Sequence, residues 1–291
     1  MKKYIQRAKV LVEALPYIKK FNGDIVVIKY GGSAMVDESI KMSVIQDIVL
    51  MKLVGLKPVI VHGGGKEISG MLSKIGKESK FINGLRVTDE ETVQIAEMVL
   101  SGKVNKDIVQ LIENHDIGAV GISGKDGKTL KVTKKEVEDY DVGYVGEITK
   151  VNTGLIKTLL ENEYIPVIAP IGTDDNGDTY NINADYAASS IAGALKAEKL
   201  IFLTDVEGIL RDVNDSNSLI SQIDVKEVPE YIEQGVISGG MIPKAECCAS
   251  GIYKGVKSVH ILDGRVEHSL LLEIFTKSGV GTMFFSDKKA I

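Results

Sequence analysis

Short β-rich runs that end in a polar or basic residue and a glycine cluster recur along this chain, each followed by a segment with helical periodicity. The first is Asp24-Ile25-Val26-Val27-Ile28-Lys29-Tyr30-Gly31-Gly32-Ser33; the second is Pro58-Val59-Ile60-Val61-His62-Gly63-Gly64-Gly65. Strands that alternate with helices leave few architectures open. Parallel neighbours need a crossover, and the crossover helices must cover the faces of the sheet. The expected fold is therefore α/β: a three-layer α/β/α sandwich around a central, mostly parallel sheet. In such sheets ligands gather beyond the carboxyl ends of the strands. A glycine pair there lets the backbone approach an anion and leaves amide N–H groups to bind it. A strand-terminal lysine, a glycine turn and a serine able to cap a helix suggest phosphate chemistry. Taken alone, the stretch fits a tight turn with a solvent-facing lysine equally well.

Charge and composition narrow the class. The 291 residues carry a formal net charge of −5, which offers no global attraction for nucleic acid. No apolar run approaches the ~18 residues that a membrane helix needs, so no membrane association is expected. Cys247 and Cys248 are adjacent and are the only cysteines; no disulfide framework exists, and a reducing, cytoplasmic setting is the reading. The length suits one large domain or two lobes. The expected division is a helix over 1–22, one lobe over 23–178 and a second over 179–291, with 172–178 as a linker-like segment.

Residues 1–20 predict a helix with Tyr4, Ala8, Leu11, Leu15 and Ile18 on one face and a kink or break at Pro16. That face could cover its own domain or reach a partner subunit. Further helices are predicted over 40–53, 67–75, 91–100, 104–113, 152–160, 186–195, 228–234, 245–253 and 267–275. Strands are predicted over 118–124, 164–169, 199–204, 258–262 and 281–285, with 125–150 as a hairpin excursion. Pro166 marks its strand as an edge, an end or an irregularity. Asp174, Asn176 and Asp178 only superficially resemble a calcium loop, because the glycine spacing and the terminal glutamate fail.

The dinucleotide fingerprint, the P-loop and the protein-kinase signatures are all absent. No nucleophile elbow appears, and the four histidines lack metal-ligand spacing, so no resident metal site is expected. What remains is Lys29, Gly31, Gly32, the Gly63-Gly64-Gly65 run, Arg86, Asp185 and Lys244. These are cations, amide donors and a carboxylate, the ingredients of phosphoryl transfer by positioning and charge stabilisation.

Ile28-Lys29-Tyr30-Gly31-Gly32, Val61-His62-Gly63-Gly64-Gly65, Asn83-Gly84-Leu85-Arg86-Val87-Thr88, Asn181-Ile182-Asn183-Ala184-Asp185 and Gly240-Met241-Ile242-Pro243-Lys244 together resemble the amino acid kinase family. The resemblance covers essentially the whole chain, and it implies oligomerisation for the helix over 1–22, amino-acid substrate binding and dimerisation for 23–178, and ATP binding with elements of an arginine site for 179–291. Its strand-lysine-glycine and Leu203-Thr204-Asp205 elements are common to several branches. The Asn83–Thr88 and Asn181–Asp185 elements are similar to the branch that acts on acetylglutamate. The resemblance implies ATP with Mg²⁺ as cofactor, N-acetyl-L-glutamate as substrate and an acyl phosphate as product. It implies Lys29 and Lys244 as the cations on the transferring group, with Asp185 orienting both. Gly31, Gly32 and Gly64 would cradle phosphate; Gly64, Gly65, Arg86 and Asn181 would bind the substrate, Arg86 through its α-carboxylate. Thr204, Asp205, Val206, Glu207, Gly208, Leu210, Gly240 and Lys244 would line the nucleotide pocket. His62 is left open between a structural and a ligand-binding role.

The N-terminal helix and the segment 268–281 resemble the arginine-inhibited branch of the family, in which such helices interlace three dimers into a hexamer. The resemblance implies a homo-oligomer of that kind and L-arginine as inhibitor, bound near Tyr17, His268, Ser269, Glu273 and Gly279.

Overall fold

A computed structural model describes residues 1–35, 37–276 and 279–287. The first half runs α1 (Lys2–Phe21), β1 (Ile25–Tyr30), α2 (Glu38–Leu53), β2 (Lys57–His62), α3 (Gly65–Lys74), β3 (Phe81–Ile82), β4 (Leu85–Arg86), α4 (Glu90–Glu97), α5 (Asn105–Glu113), β5 (Ala119–Ser123), β6 (Leu130–Lys134) and β7 (Gly146–Val151). The second runs α6 (Gly154–Glu161), β8 (Ile165–Ala169), β9 (Ile171–Thr173), β10 (Thr179–Asn181), α7 (Ala184–Leu195), β11 (Lys199–Thr204), β12 (Gln222–Asp224), α8 (Val228–Glu233), α9 (Met241–Tyr253), β13 (Ser258–Asp263), α10 (Ser269–Phe275) and β14 (Thr282–Phe285).

An eight-stranded sheet in the order β12-β14-β13-β11-β1-β2-β8-β5 passes through the molecule, with helices on both faces. Every neighbouring pair is parallel except β13 and β14. The three-layer expectation holds. β1 lies between β2, which follows it in the chain, and β11, which comes some 170 residues later. The strand order therefore reverses at β1, and a crevice opens at its carboxyl end. A four-stranded sheet, β10-β9-β6-β7, forms the expected excursion and also takes in residues 171–181, which pair as an antiparallel hairpin rather than running as a linker.

Strand parity decides which face each side chain serves. Val26, Ile28 and Tyr30 join the core packed against α2, α5 and α10, whereas Val27 joins the core beneath α7 and α9. Lys29 shares the parity of Val27, so the same alternation aims its ammonium at α7 and α9.

Several local readings are corrected. α1 continues through Pro16 instead of breaking, losing only the one hydrogen bond that proline cannot donate. Its end packs on the body through Tyr17 and Phe21, while Tyr4, Leu11 and Leu15 stay 68%, 73% and 55% exposed. The side chain of Ser33 lies outside the described residues; α2 is capped by Asp37, whose carboxylate accepts from the N–H groups of Ser39 and Ile40. β8 is an interior strand, and Pro166 sits at its second position, just before the register with β2 begins at Val167. The helices predicted over 91–100 and 104–113 are continuous through a π-helical segment, Met98–Val104. α9 begins at Met241 rather than Ala245, and Pro243 is tolerated in its first turn, where no backbone donor is needed.

Candidate active site

The carboxylate of Asp185 stands between two ammonium groups brought by distant parts of the chain. Lys29 Nζ, at the end of β1, lies 3.0 Å from Oδ1, and Lys244 Nζ, on the first turn of α9, donates to Oδ2 at 2.6 Å. Asp185 occupies this place because α7 starts beside it. Asn183 is the cap, accepting from the N–H groups of Asp185 and Tyr186, which leaves the Asp185 side chain free to face the sheet. Burial alone would raise its pKa, but the two lysine charges and their hydrogen bonds hold it at about 2. Asp185 is thus ionised throughout the neutral range. It can orient cations but cannot accept a proton there.

Glycines make room for this cluster. A Cβ on Gly31 would come within 2.9 Å of Lys29 Nζ, and one on Gly64 within 2.4 Å of Leu100 Cδ2. Gly32, at φ +69°, turns the chain out of β1 in the left-handed region that favours glycine.

Arg86 ends the β3–β4 hairpin and is only 6% exposed. Its Nη1 donates to Ser79 Oγ at 2.6 Å; its Nη2 donates to Gly65 O at 2.7 Å and Ser69 Oγ at 2.9 Å. The Phe81 ring covers the guanidinium at 4.7 Å. Every one of these partners is neutral, and burial depresses the Arg86 pKa. Three of the five N–H donors are used, so two remain for an anion. Arg86, Gly64, Gly65 and Asn181 line one cavity of about 190 Å³, bounded also by Phe81 and Leu100. Beside it a wider cleft of about 850 Å³ is lined by Asp185, Tyr186, Gly240, Lys244 and the tip of the β3–β4 hairpin. The clamp therefore sits where a small cavity meets a large one.

The run from Thr204 to Leu210 lies apart from both cavities. Thr204 ends β11, its hydroxyl accepts from Val206 N at 3.2 Å, and Asp205 and Glu207 are exposed with Val206 half-buried between them. A Cβ on Gly208 would meet Thr282 Oγ1 at 2.6 Å, so this turn is fastened to β14; Leu210 bridges to Leu219. Among the effector candidates, Glu273 and Gly279 adjoin, and Glu273 accepts from Val280 N at 2.8 Å. Tyr17 packs nearby against the core. His268 points elsewhere: its Nδ1 lies 2.6 Å from the buried Asp47 of α2, and Ser269 is buried at the start of α10.

Some of the site escaped the sequence reading. Ser69 and Ser79 hold Arg86; a serine four residues after Gly65 on a helix was the available signal for the first, and nothing marked the second. His260 donates through Nδ1 to Glu273 Oε1 at 2.7 Å, and Lys199 lies 3.1 Å from its Nε2. The spacing Ser258-x-His260 on a strand was the cue. His62 is fully buried, with Nδ1 2.7 Å from Gly63 O and Nε2 3.2 Å from Asn105 Nδ2, a placement that accords with the structural one of its two open roles.

Among the described residues no group of three or more His, Cys, Asp or Glu side chains could hold a metal. A divalent ion with this site would arrive on phosphate oxygens and waters.

Residues 24–263 match the Amino acid kinase family. The chain is 61% identical over 279 residues to the acetylglutamate kinase of Thermoanaerobacter sp. strain X514, spanning 96% of this chain and 93% of that protein. It is 59% identical over 291 residues to the acetylglutamate kinase of Carboxydothermus hydrogenoformans, spanning 97% and 99%. Among solved structures it is similar to the N-acetylglutamate synthase from Neisseria gonorrhoeae complexed with coenzyme A and N-acetyl-glutamate, with a TM-score of 0.85 at 26% identity. That likeness covers 96% of this chain and 63% of the synthase.

Proposed function

The chain belongs to the amino acid kinase family, and from that membership we propose that its cleft carries the γ-phosphoryl group of ATP to the side-chain carboxylate of N-acetyl-L-glutamate, in arginine biosynthesis. The observation that carries the reading is the two-lysine clamp on Asp185 at the junction of a small anion-binding cavity and a wide cleft. The high identity to acetylglutamate kinases supports the choice of acceptor.

The acceptor carboxylate is ionised at neutral pH, so the reaction requires no general base. A carboxylate oxygen forms the bond to the γ-phosphorus as the bond to the β,γ-bridging oxygen breaks, leaving ADP and an acyl phosphate. Repulsion between two anions is the obstacle, and preorganised donors offset it. Lys29 faces the acceptor side and Lys244 the nucleotide side, each held in direction by Asp185. Gly31, Gly32 and Gly64 contribute backbone N–H groups. Arg86 meets the α-carboxylate through one of its two remaining donors, Nε–H or the second Nη1–H, which diverge from one another because both Nη2 hydrogens are already given to Gly65 and Ser69. Gly65 and Asn181 border the rest of the substrate. Gly240 holds the nucleotide within the wide cleft, and the Thr204–Leu210 turn, which lines neither cavity, would meet it only beyond the edge of that cleft. Mg²⁺ bound to the nucleotide would neutralise phosphate charge.

L-Arginine is read as the inhibitor, its guanidinium facing Glu273, which His260 and Val280 N–H keep ionised despite burial. The exposed apolar face of α1 supports a hexamer built from dimers through that helix. Titration with arginine tests the first; removal of residues 1–22 tests the second, with dimers expected on sedimentation and an unchanged hexamer refuting it. The central test couples ADP release to acyl-phosphate trapping by hydroxylamine, with acetylglutamate against glutamate, aspartate and carbamate. Hydroxamate formed only with acetylglutamate is expected, and ADP release without it would overturn the reading.

A further inference from the structure

The Gly63–Gly64 peptide is flanked by glycines on both sides, so nothing in its own chain prevents it from flipping. Its direction matters. A trans peptide points its C=O and N–H to opposite sides, and Gly64 borders the substrate cavity. Among the described residues Gly64 N–H has no acceptor, whereas the Gly63 carbonyl lies 2.7 Å from His62 Nδ1.

The proton arrangement of His62 follows from its neighbour. Asn105 is fully buried at the point where the π-helical segment hands over to α5. Its Nδ2 lies 2.9 Å from the Val167 carbonyl and 3.2 Å from His62 Nε2. A carbonyl can only accept, so the Asn105 atom facing Val167 is the amide nitrogen. The Ile122 carbonyl also lies 3.4 Å from Nδ2, a longer contact than the 3.2 Å to His62 Nε2, so the other hydrogen is directed to Nε2 as the bare nitrogen; the Gly63 carbonyl, which can only accept, agrees in requiring the proton on Nδ1. The opposite end of the amide is fixed too, since Lys106 Nζ donates to Asn105 Oδ1 at 3.1 Å. A Cβ on Gly121 would fall 1.8 Å from that oxygen, so the absence of a side chain there makes room for the Asn105 amide.

We infer that Asn105 is a positioning residue for phosphoryl transfer: by fixing His62 as its Nδ1–H tautomer it pins the Gly63–Gly64 peptide with the Gly64 N–H aimed into the site. The inference rests on the kinase reading of the cleft. His62 stays neutral because burial brings its pKa down to about 4, so the pin does not loosen across the neutral range.

Two measurements test it. In the wild type, ¹⁵N spectra of the histidine rings, with His62 assigned by its loss in His62→Asn, should give a pyrrole-type Nδ1 and a pyridine-type Nε2, unchanged between about pH 6 and 9. An Nε2–H tautomer would overturn the inference whatever the variants do. Kinetically, Asn105→Leu should lower kcat on the order of ten- to a hundredfold, short of the full loss of a preorganised donor, with KM for acetylglutamate moving less than about threefold. The amide nitrogen of His62→Asn takes the place of Nδ1 and donates to Gly63 O without help. In that background Asn105→Leu should cost less than about twofold. An equal loss in both backgrounds, or a change confined to KM, would mark Asn105 as merely structural. If Asn105→Leu does not fold, His62→Leu against His62→Asn decides, the first losing kcat and the second recovering most of it; equal activities refute the pin. Wild-type protein inert toward ATP and acetylglutamate would instead refute the kinase reading, and the tautomer would still judge the pin.

Discussion

Replacing Arg86 with alanine removes the only buried guanidinium in the small cavity together with the two donors that no protein group uses. Hydrogen bonds to a charged group contribute about 1.5–3 kcal/mol each. The two free hydrogens, on Nε and Nη1, diverge, so one such bond sets the expected loss of acetylglutamate affinity at about 1.5–3 kcal/mol, or roughly ten- to a hundred-and-fiftyfold in Kd. The side chain is almost wholly buried, so solvent screening does little to reduce this. Arg86→Lys should recover only part, because an ammonium with three donors cannot serve Ser79, Gly65 and Ser69 and still donate to the anion. Calorimetric titration gives Kd directly, and a ligand cycle isolates the contact. Acetylglutamate with its α-carboxylate converted to an amide should bind wild type as weakly as Arg86→Ala binds the parent acid, and the variant should scarcely distinguish the two. A variant Kd within threefold of wild type, or undiminished discrimination between acid and amide, would refute the assignment of Arg86 to the α-carboxylate.

Lys244→Ala should depress kcat by at least about a hundredfold while leaving acetylglutamate Kd near wild type, because the lost cation acts on the transferring group; near-normal turnover in a steady-state assay would disprove that role. The folded pKa of Asp185 is depressed to about 2. Its contribution to stability is therefore fully present above the unfolded value near 3.9 and is lost as pH falls through about 2. The stability difference between wild type and Asp185→Asn, from urea unfolding at successive pH values, should be flat above about pH 5 and shrink below about pH 4; a constant difference would contradict the clamp. Gly64→Ala should reduce turnover sharply, since its methyl would lie 2.4 Å from Leu100 Cδ2; trimming the obstruction with Leu100→Ala in the same chain should return part of it, and no recovery would mean that Gly64 is needed for another reason.

Local patterning was enough for much of this molecule. Apolar runs of strand length alternating with amphipathic helices specify an α/β sandwich, because each face must be buried and parallel neighbours need crossovers. The strand-terminal Lys29, the two glycine clusters and the opening of α9 around Lys244 were visible for the same reason: each is a feature of a few consecutive residues. Misread boundaries have local causes as well. α9 starts earlier than expected because proline is harmless in a first turn, and two helices fuse through a π-helical segment that no simple period describes. Pairings between distant residues were beyond such reading. That β1 lies beside β11, that the parity of Val27 turns Lys29 toward Asp185, and that His62 leans on Asn105 are outcomes of sheet order and helix packing. Segment 268–281 shows the difference most clearly. Its residues were grouped through the resemblance, with His268 and Ser269 added as neighbours, yet His268 turns to Asp47 on one side of α10 while Glu273 turns to His260 on another. A helix distributes neighbours around its axis, and only the elements packed against it decide which of them share a site.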